Sequence, residues 1–177
     1  MRFIGAISLA LVGMIAVAHA GELPASQQAF CEAIETGRAA YAKAAADTNR
    51  LRGKQAKAAA IEQLDKALAP FLADGQFEGW VGKVAEVAEL PSGRAYVRVA
   101  LPCGAEFRTI DKSAIAPTSP LFKTVAAADI GTAVRLSGRL VRDLRGKIYE
   151  MSLTERGRIE APAYAADFTA LEPLAAQ

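Results

Sequence analysis

Two groups of basic side chains have the clearest capacity for chemistry in this sequence. The first group lies on two neighbouring predicted strands and consists of Arg94, Tyr96, Arg98 and Arg108. An arginine fork pairs with phosphates or carboxylates, and a tyrosine ring stacks on a base. This group therefore predicts a surface for an anionic ligand. A solvated strand face with one half-buried tyrosine explains the same pattern equally well.

The second basic group follows a later predicted strand into the turn after it. Its members are Arg135, Arg139, Arg142, Arg145 and Lys147. Such a patch suits an acidic protein, an anionic glycan or a lipid headgroup. Cross-strand carboxylates such as Asp143 and Glu150 would neutralise it instead, and we favour that simpler interpretation.

The residues needed for many catalytic mechanisms are missing. The sequence contains one histidine, His19, which lies in a predicted leader. Without it, neither a Ser-His-Asp triad nor a Cys-His pair can be assembled. Two cysteines are too few for an all-thiolate zinc site, and no phosphate-binding glycine motif occurs. We therefore expect a non-enzymatic protein without cofactor or metal. A hydrolase that uses carboxylates alone is the weaker alternative.

The leader covers residues 1–20. Arg2 precedes an apolar run, and the small residues of Ala18-His19-Ala20 form a cleavage site of the A-x-A type. We expect cleavage after Ala20 and export, with the periplasm as the predicted location. An uncleaved anchor is less favoured because the apolar run is shorter than the roughly 20 residues that span a bilayer. After cleavage no stable membrane insertion is expected.

The remaining chain, residues 21–177, contains two cysteines, Cys31 and Cys103. An even number of cysteines in an exported protein is most simply a disulfide, although two separate buried thiols remain the alternative. The basic and acidic residues almost balance, since only Arg2 of the 21 basic residues is lost while 19 acidic ones remain. Near-neutrality gives no general reason to expect nucleic acid as the partner.

The first part of the exported chain has helical periodicity from Ser26 to about Leu72. Ser26 is the predicted N-cap, and Pro70, Asp74 and Gly75 mark the end. Asn49 and Gly53 allow a break, so the segment is one long helix or a helical hairpin. Its alanine-rich face either docks another helix or packs against its own domain, and we favour the second.

After Gly75 the apolar period changes to two, which predicts strands. The predicted strands are 77–87, 96–101, 106–110, 133–141 and 147–153, with a short helix at 121–128 and a further short strand at 167–171. This order predicts an α+β protein in which a five-stranded Greek-key barrel of the OB type follows the helical segment. The corresponding boundaries are 21–75 for the helical segment, 76–172 for the barrel and 173–177 for a C-terminal tail.

Three stretches of the sequence resemble strand and turn signatures of a known group of proteins. They are Gly79–Val84 (GWVGKV), Gly131–Gly138 (GTAVRLSG) and Glu150–Gly157 (EMSLTERG). The chain resembles exported bacterial OB-fold proteins of uncharacterised function, in which a helical segment precedes the barrel. More distantly, the barrel is similar to OB domains of anticodon-binding and single-strand-binding proteins. The resemblance implies a fold and supplies no catalytic residue.

Together these observations predict an exported, non-enzymatic OB-fold module that binds an unknown protein or an anionic small ligand. The binding residues would come from the face of the second and third strands, where OB folds usually bind. Single-stranded nucleic acid is the alternative ligand, although it is a poor expectation for an exported protein.

Overall fold

The computed structural model describes residues 23–174, so the predicted leader and the last three residues lie outside the described part. Two helices come first, followed by five strands and two short helices. The helices are α1 (Ala25–Ala45), α2 (Arg50–Asp74), α3 (Pro120–Ala126) and α4 (Glu155–Glu160). The strands are β1 (Gln76–Glu89), β2 (Ala95–Ala100), β3 (Glu106–Arg108), β4 (Ala133–Leu140) and β5 (Ala163–Pro173).

The helical segment is a hairpin of two helices. Asn49 separates them, and its side chain accepts hydrogen bonds from the backbone N–H groups of Leu51 and Arg52 at the start of α2. At the other end Gly75 has a φ of 71° and closes the helix in the left-handed conformation. The helix continues past Pro70 and ends at Asp74, so two of the three residues predicted to mark its end, Asp74 and Gly75, do so, and Pro70 does not.

The five strands close into a barrel in the order β1-β2-β3-β5-β4, and β4 pairs with β1 to complete the circle. Only β3 and β5 run parallel. The α+β class and the five-stranded barrel are therefore confirmed. Gly138 allows β4 to approach its neighbours closely, because a Cβ there would collide with the Asp167 carbonyl oxygen and the Phe77 ring.

The position of the fifth strand was predicted wrongly. Segment 147–153 makes only isolated bridges, at Ile148 and Glu150, and the fifth strand is Ala163–Pro173. The short strand expected at 167–171 is part of it. β5 pairs with both β3 and β4 and so closes the barrel between them. Segment 147–153 therefore finds no free strand edge to pair with, although its apolar residues alternate as in a strand.

The helical hairpin and the barrel share one hydrophobic core. Phe30 of α1 packs against Trp80, with ring centroids 5.1 Å apart, and against Phe107 at 6.0 Å. Leu64 and Leu68 of α2 are buried in the same cluster. Ala44 and Ala60 are also buried, so part of the alanine-rich face packs within its own domain, as favoured from the sequence.

Polar contacts fix the start of α1 to β1. The fully buried Gln27 side chain donates to the Val81 carbonyl oxygen at 2.5 Å and accepts from the Val81 N–H at 2.7 Å. Ser26 was predicted as the N-cap, but the helix begins at Ala25 after Pro24, and no side chain caps it. The Ser26 hydroxyl instead accepts a hydrogen bond from the Trp80 indole at 3.0 Å.

A disulfide joins Cys31 of α1 to Cys103 in the turn after β2, with the Cα atoms 5.2 Å apart. This confirms the predicted pair. Next to it, one Arg38 nitrogen donates to the carbonyl oxygens of Cys103 and Glu160, both at 2.7 Å. Within residues 23–174, none of the helices combines the length and the hydropathy that a membrane span requires.

Candidate ligand-binding site

The first predicted group does share one surface. Tyr96, Arg98 and Arg108 alternate with buried residues on β2 and β3, and Arg98 lies opposite Arg108 in the strand register. Arg94 precedes β2, and its side chain donates to the Asp111 carbonyl oxygen at 2.8 Å. Ligand binding by this face remains a prediction.

Carboxylates already occupy the centre of that face. Arg98 lies between Glu86 and Glu106, with N···O distances of 3.2 and 3.1 Å. The Arg108 guanidinium is directed at the Met151 carbonyl oxygen, 3.5 Å away. An incoming anion would therefore have to compete with two neighbouring negative charges, which favours the solvated-face interpretation.

The second predicted group separates into two sets. Arg135 and Arg139 lie on β4, where Arg139 pairs with Asp167 at 3.1 Å and Arg135 reaches the Gly79 carbonyl oxygen at 3.4 Å. The other three members, Arg142, Arg145 and Lys147, lie in the connection between β4 and β5 and are exposed.

The carboxylates that the sequence offered as neutralising partners are used elsewhere. Asp143 accepts hydrogen bonds from the backbone N–H groups of Arg145 and Lys147, at 2.8 and 2.9 Å. Glu150 pairs with Arg158 at 2.9 Å. Among the described residues, neither Arg145 nor Lys147 has an ion pair through its side chain.

A cavity of about 570 Å³ lies between α2 and the connection from β4 to β5. This volume is within the range of about 300–1,000 Å³ that is typical of small-molecule sites. The apolar wall consists of Leu64, Leu68, Ala69, Leu72, Ala73, Ile148 and Tyr164. The polar wall consists of Asp65, Arg142, Gly146, Lys147, Glu150 and Arg158.

Arg158 organises one side of the polar wall. Its guanidinium contacts Asp65 of α2 at 2.7 Å and Glu150 at 2.9 Å, so one cation holds two carboxylates. Glu150 Oε1 is buried and accepts no hydrogen bond from the described residues. A buried oxygen without a donor is costly, and a ligand that donates to it would remove that cost.

The ionisation of two groups is shifted by burial. Burial raises the pKa of Glu150, and the nearby positive charge of Arg158 opposes this without reversing it. Burial also raises the pKa of the Tyr164 phenol, which therefore stays neutral and able to donate a hydrogen bond. The cavity thus has a neutral phenol and a carboxyl group that holds its proton more tightly than usual.

The other side of the polar wall is cationic. Arg142 donates to the carbonyl oxygens of Leu72 and Ala73 at the C-terminal end of α2, and to that of Gly146. A guanidinium has five N–H donors, so about two remain for a ligand. The Lys147 ammonium group adds a second positive charge at the rim. This side of the cavity can receive an anionic group.

Sequence reasoning found only part of this site. It singled out Arg142 and Lys147, whereas it missed Asp65, Arg158 and Tyr164. Asp65 and Arg158 are 93 residues apart, so no local spacing connects them. One local signal was available, because Ser152 and Glu155 have the spacing of a capping box, which fits either a turn or a helix start. Helix α4 begins there, with Thr154 and not Ser152 as the N-cap, and it carries Arg158.

Trp80 is buried, so it gives no support to a binding groove on β1, and Tyr149 is partly exposed. Residues 23–174 contain no group of three or more His, Cys, Asp or Glu side chains that could hold a metal ion.

Comparison with known proteins gave a negative result. The sequence matches no protein-family model, and comparison with curated proteins and with solved structures found no match. Function must therefore be inferred from the side chains themselves.

Proposed function

We propose that this protein is a non-enzymatic binding module that holds a small anionic amphipathic ligand in the cavity beside α2. The observation that carries the proposal is the division of the cavity into an apolar wall and a cationic rim. An apolar wall favours a hydrocarbon or aromatic body, and Arg142 and Lys147 favour a terminal anion.

The connection between β4 and β5 supports this position. In OB folds the corresponding loop commonly borders the ligand site. Here that connection supplies the whole cationic rim and Glu150, while α2 supplies most of the apolar wall. The helical hairpin therefore has a role in the proposed site and is more than a support for the barrel.

Two other functions receive less support. A single-stranded nucleic acid would need several stacking aromatics, and the proposed β2–β3 face offers Tyr96 beside Arg98, which is already paired with two carboxylates. For a carboxylate-dependent hydrolase the cavity offers only Asp65 and Glu150, and both are paired with Arg158. We therefore keep the binding function and propose no reaction.

Export is part of the proposal. A buried disulfide is most often found in proteins that fold outside the reducing cytoplasm, and Cys31 and Cys103 form one. A periplasmic location agrees with the charged, apolar leader at residues 1–20. Recovery of the endogenous chain with the leader attached and both thiols reduced would contradict export.

The cavity can be tested with the fluorescent probe 1-anilinonaphthalene-8-sulfonate, which combines aromatic rings with a sulfonate. We expect Ala69→Glu to weaken binding of this probe at least about tenfold, because it places bulk and negative charge in the cavity. Ala69 is exposed on α2, so the variant should fold. Binding is measured by fluorescence titration and calorimetry.

Ala59→Glu is the matched control, because Ala59 is also an exposed alanine of α2 but does not line the cavity. It should bind the probe like the wild type. Equal binding by the wild type and both variants would contradict the proposed site. So would a probe signal that appears only when the protein unfolds.

Probe binding should also depend on pH through Glu150. Because burial raises the pKa of Glu150, this carboxyl group stays neutral above its ordinary range and ionises as the pH rises through the raised value. Ionisation places a negative charge beside the sulfonate, so affinity should fall with rising pH. Titrations from pH 4 to pH 8 measure this, and Glu150→Gln should remove the dependence. A dependence that persists in this variant would assign it to another group.

A further inference from the structure

Exposed apolar side chains are concentrated in the connection between β4 and β5. Five large apolar residues of the described chain are exposed, and three of them, Leu144, Tyr149 and Leu153, lie within this connection. Leu144 has its whole surface in solvent. Single exposed apolar residues are common, and Leu144 stands out because it is fully exposed and two cationic residues follow it in the same turn.

Leu144 sits at the tip of an ordered turn, which we call the hairpin tip and define as residues 143–147. A bridge between Arg142 and Ile148 closes its base. Within it, the Asp143 N–H donates to the Lys147 carbonyl oxygen at 2.7 Å. The Asp143 carboxylate accepts from two backbone N–H groups of the turn. These contacts fix the turn through its backbone, and none of them requires an apolar side chain at position 144.

The charge around Leu144 is positive. Arg145 follows Leu144 directly and Lys147 lies three residues after it, and neither has an ion pair among the described residues. Asp143 is the one carboxylate of the hairpin tip, and it is occupied by the backbone of the turn. A fully exposed apolar residue that shares one turn with two available cations is complementary to a surface that has negative charge outside and hydrocarbon beneath.

We propose that the hairpin tip docks reversibly on an anionic lipid surface. Leu144 enters the boundary between headgroups and acyl chains, while Arg145 and Lys147 bind lipid phosphates. A stable protein interface buries about 800 Å² on each partner, which a convex tip of five residues cannot supply. The hairpin tip has no aromatic residue on which a nucleic acid base would stack. A bilayer surface is the partner that a small, convex, cationic and apolar tip fits best.

The test uses the chain that begins at residue 21, which contains every described residue. Its binding to vesicles of phosphatidylcholine with and without phosphatidylglycerol is measured by co-sedimentation. We expect binding only to the vesicles that contain phosphatidylglycerol, with weakening at high salt. Leu144→Asp should reduce the partition coefficient at least about tenfold, because it replaces an apolar contact with a repelled charge.

Leu51→Asp is a strict control. Leu51 is also exposed, and Arg50 and Lys54 lie near it in sequence, so the charge change and its surroundings are similar. Ile130→Asp, next to Asp129, is a second control without cationic neighbours. Both controls should bind vesicles like the wild type. A loss in either control equal to that of Leu144→Asp would overturn the assignment to the hairpin tip.

The remaining outcomes separate this inference from the proposed ligand site. Lys147 belongs to both sites, so the variants that separate them are Ala69→Glu in the cavity wall and Leu144→Asp at a residue that does not line the cavity. Ala69→Glu should keep vesicle binding while it weakens probe binding, and Leu144→Asp should do the reverse. Equal binding to neutral and anionic vesicles, or no binding to either, would overturn lipid docking. A photo-crosslinker at position 144 that captures one protein and no lipid in cells would also overturn it, in favour of a protein partner.

Discussion

Gln27→Leu should lower the free energy of unfolding by about 2–4 kcal/mol, because it leaves a backbone N–H and a backbone C=O without partners. The Gln27 side-chain amide makes the two hydrogen bonds to Val81 that a neighbouring strand would otherwise make. β2 pairs with β1 only from Lys83 onward, so no strand can replace them. Urea denaturation followed by far-UV circular dichroism measures the change.

Gln28→Leu is the matched control, since Gln28 is the next residue of the same helix and is exposed. It loses only a surface hydrogen bond to Glu32 and should change the free energy of unfolding by less than about 0.5 kcal/mol. Equal effects of the two variants would mean that Gln27 does not join the hairpin to the barrel.

The elements that follow local rules were predictable from the sequence. Asn49 and Gly53 indicated the break between the helices, and the alternation around Val97 and Val99 indicated β2 and its outward face. The change of period at Gly75 indicated where the helices end and the barrel begins. These features depend on residues close together in sequence, and the local sequence pattern was therefore enough to predict them.

The failures have a common physical cause, which is competition between distant segments. Segment 147–153 alternates like a strand, yet β5 pairs better with β3 and leaves it only isolated bridges. Ser26 resembles an N-cap, but its hydroxyl accepts from the Trp80 indole, 54 residues away. Neither the pairing of β5 nor the hydrogen bond of Ser26 can be predicted from neighbouring residues alone, because each depends on a contact with a segment far away in the sequence.

The candidate site illustrates the same limit. Arg142 and Lys147 were noticed because they belong to a dense basic stretch. Asp65 was one polar residue of the predicted helical segment and Arg158 lay outside every predicted element, and only the folded chain brings them together at 2.7 Å. A sequence can show that cations are abundant near a turn, whereas the apolar wall opposite them comes from packing α2 beside that turn.

Removing the disulfide should have the other large effect on stability. We expect Cys31→Ala combined with Cys103→Ala to lower the free energy of unfolding by about 4 kcal/mol, since the bond restricts a long loop of the unfolded chain. The two cysteines are 72 residues apart, and the bond joins the helical hairpin to the barrel. Chemical denaturation of the oxidised wild type and the double variant measures the difference.

The reduced wild type is the control for the double variant, because it retains both side chains and lacks only the bond. If the stabilisation acts through the unfolded chain, the reduced protein and the double variant should lose similar free energy and keep the native circular dichroism spectrum. The native contacts of Gln27 and Phe30 should then still hold α1 on the barrel. A loss below about 1 kcal/mol in the reduced protein, with a larger loss in the double variant, would assign the effect to packing of the buried side chains instead.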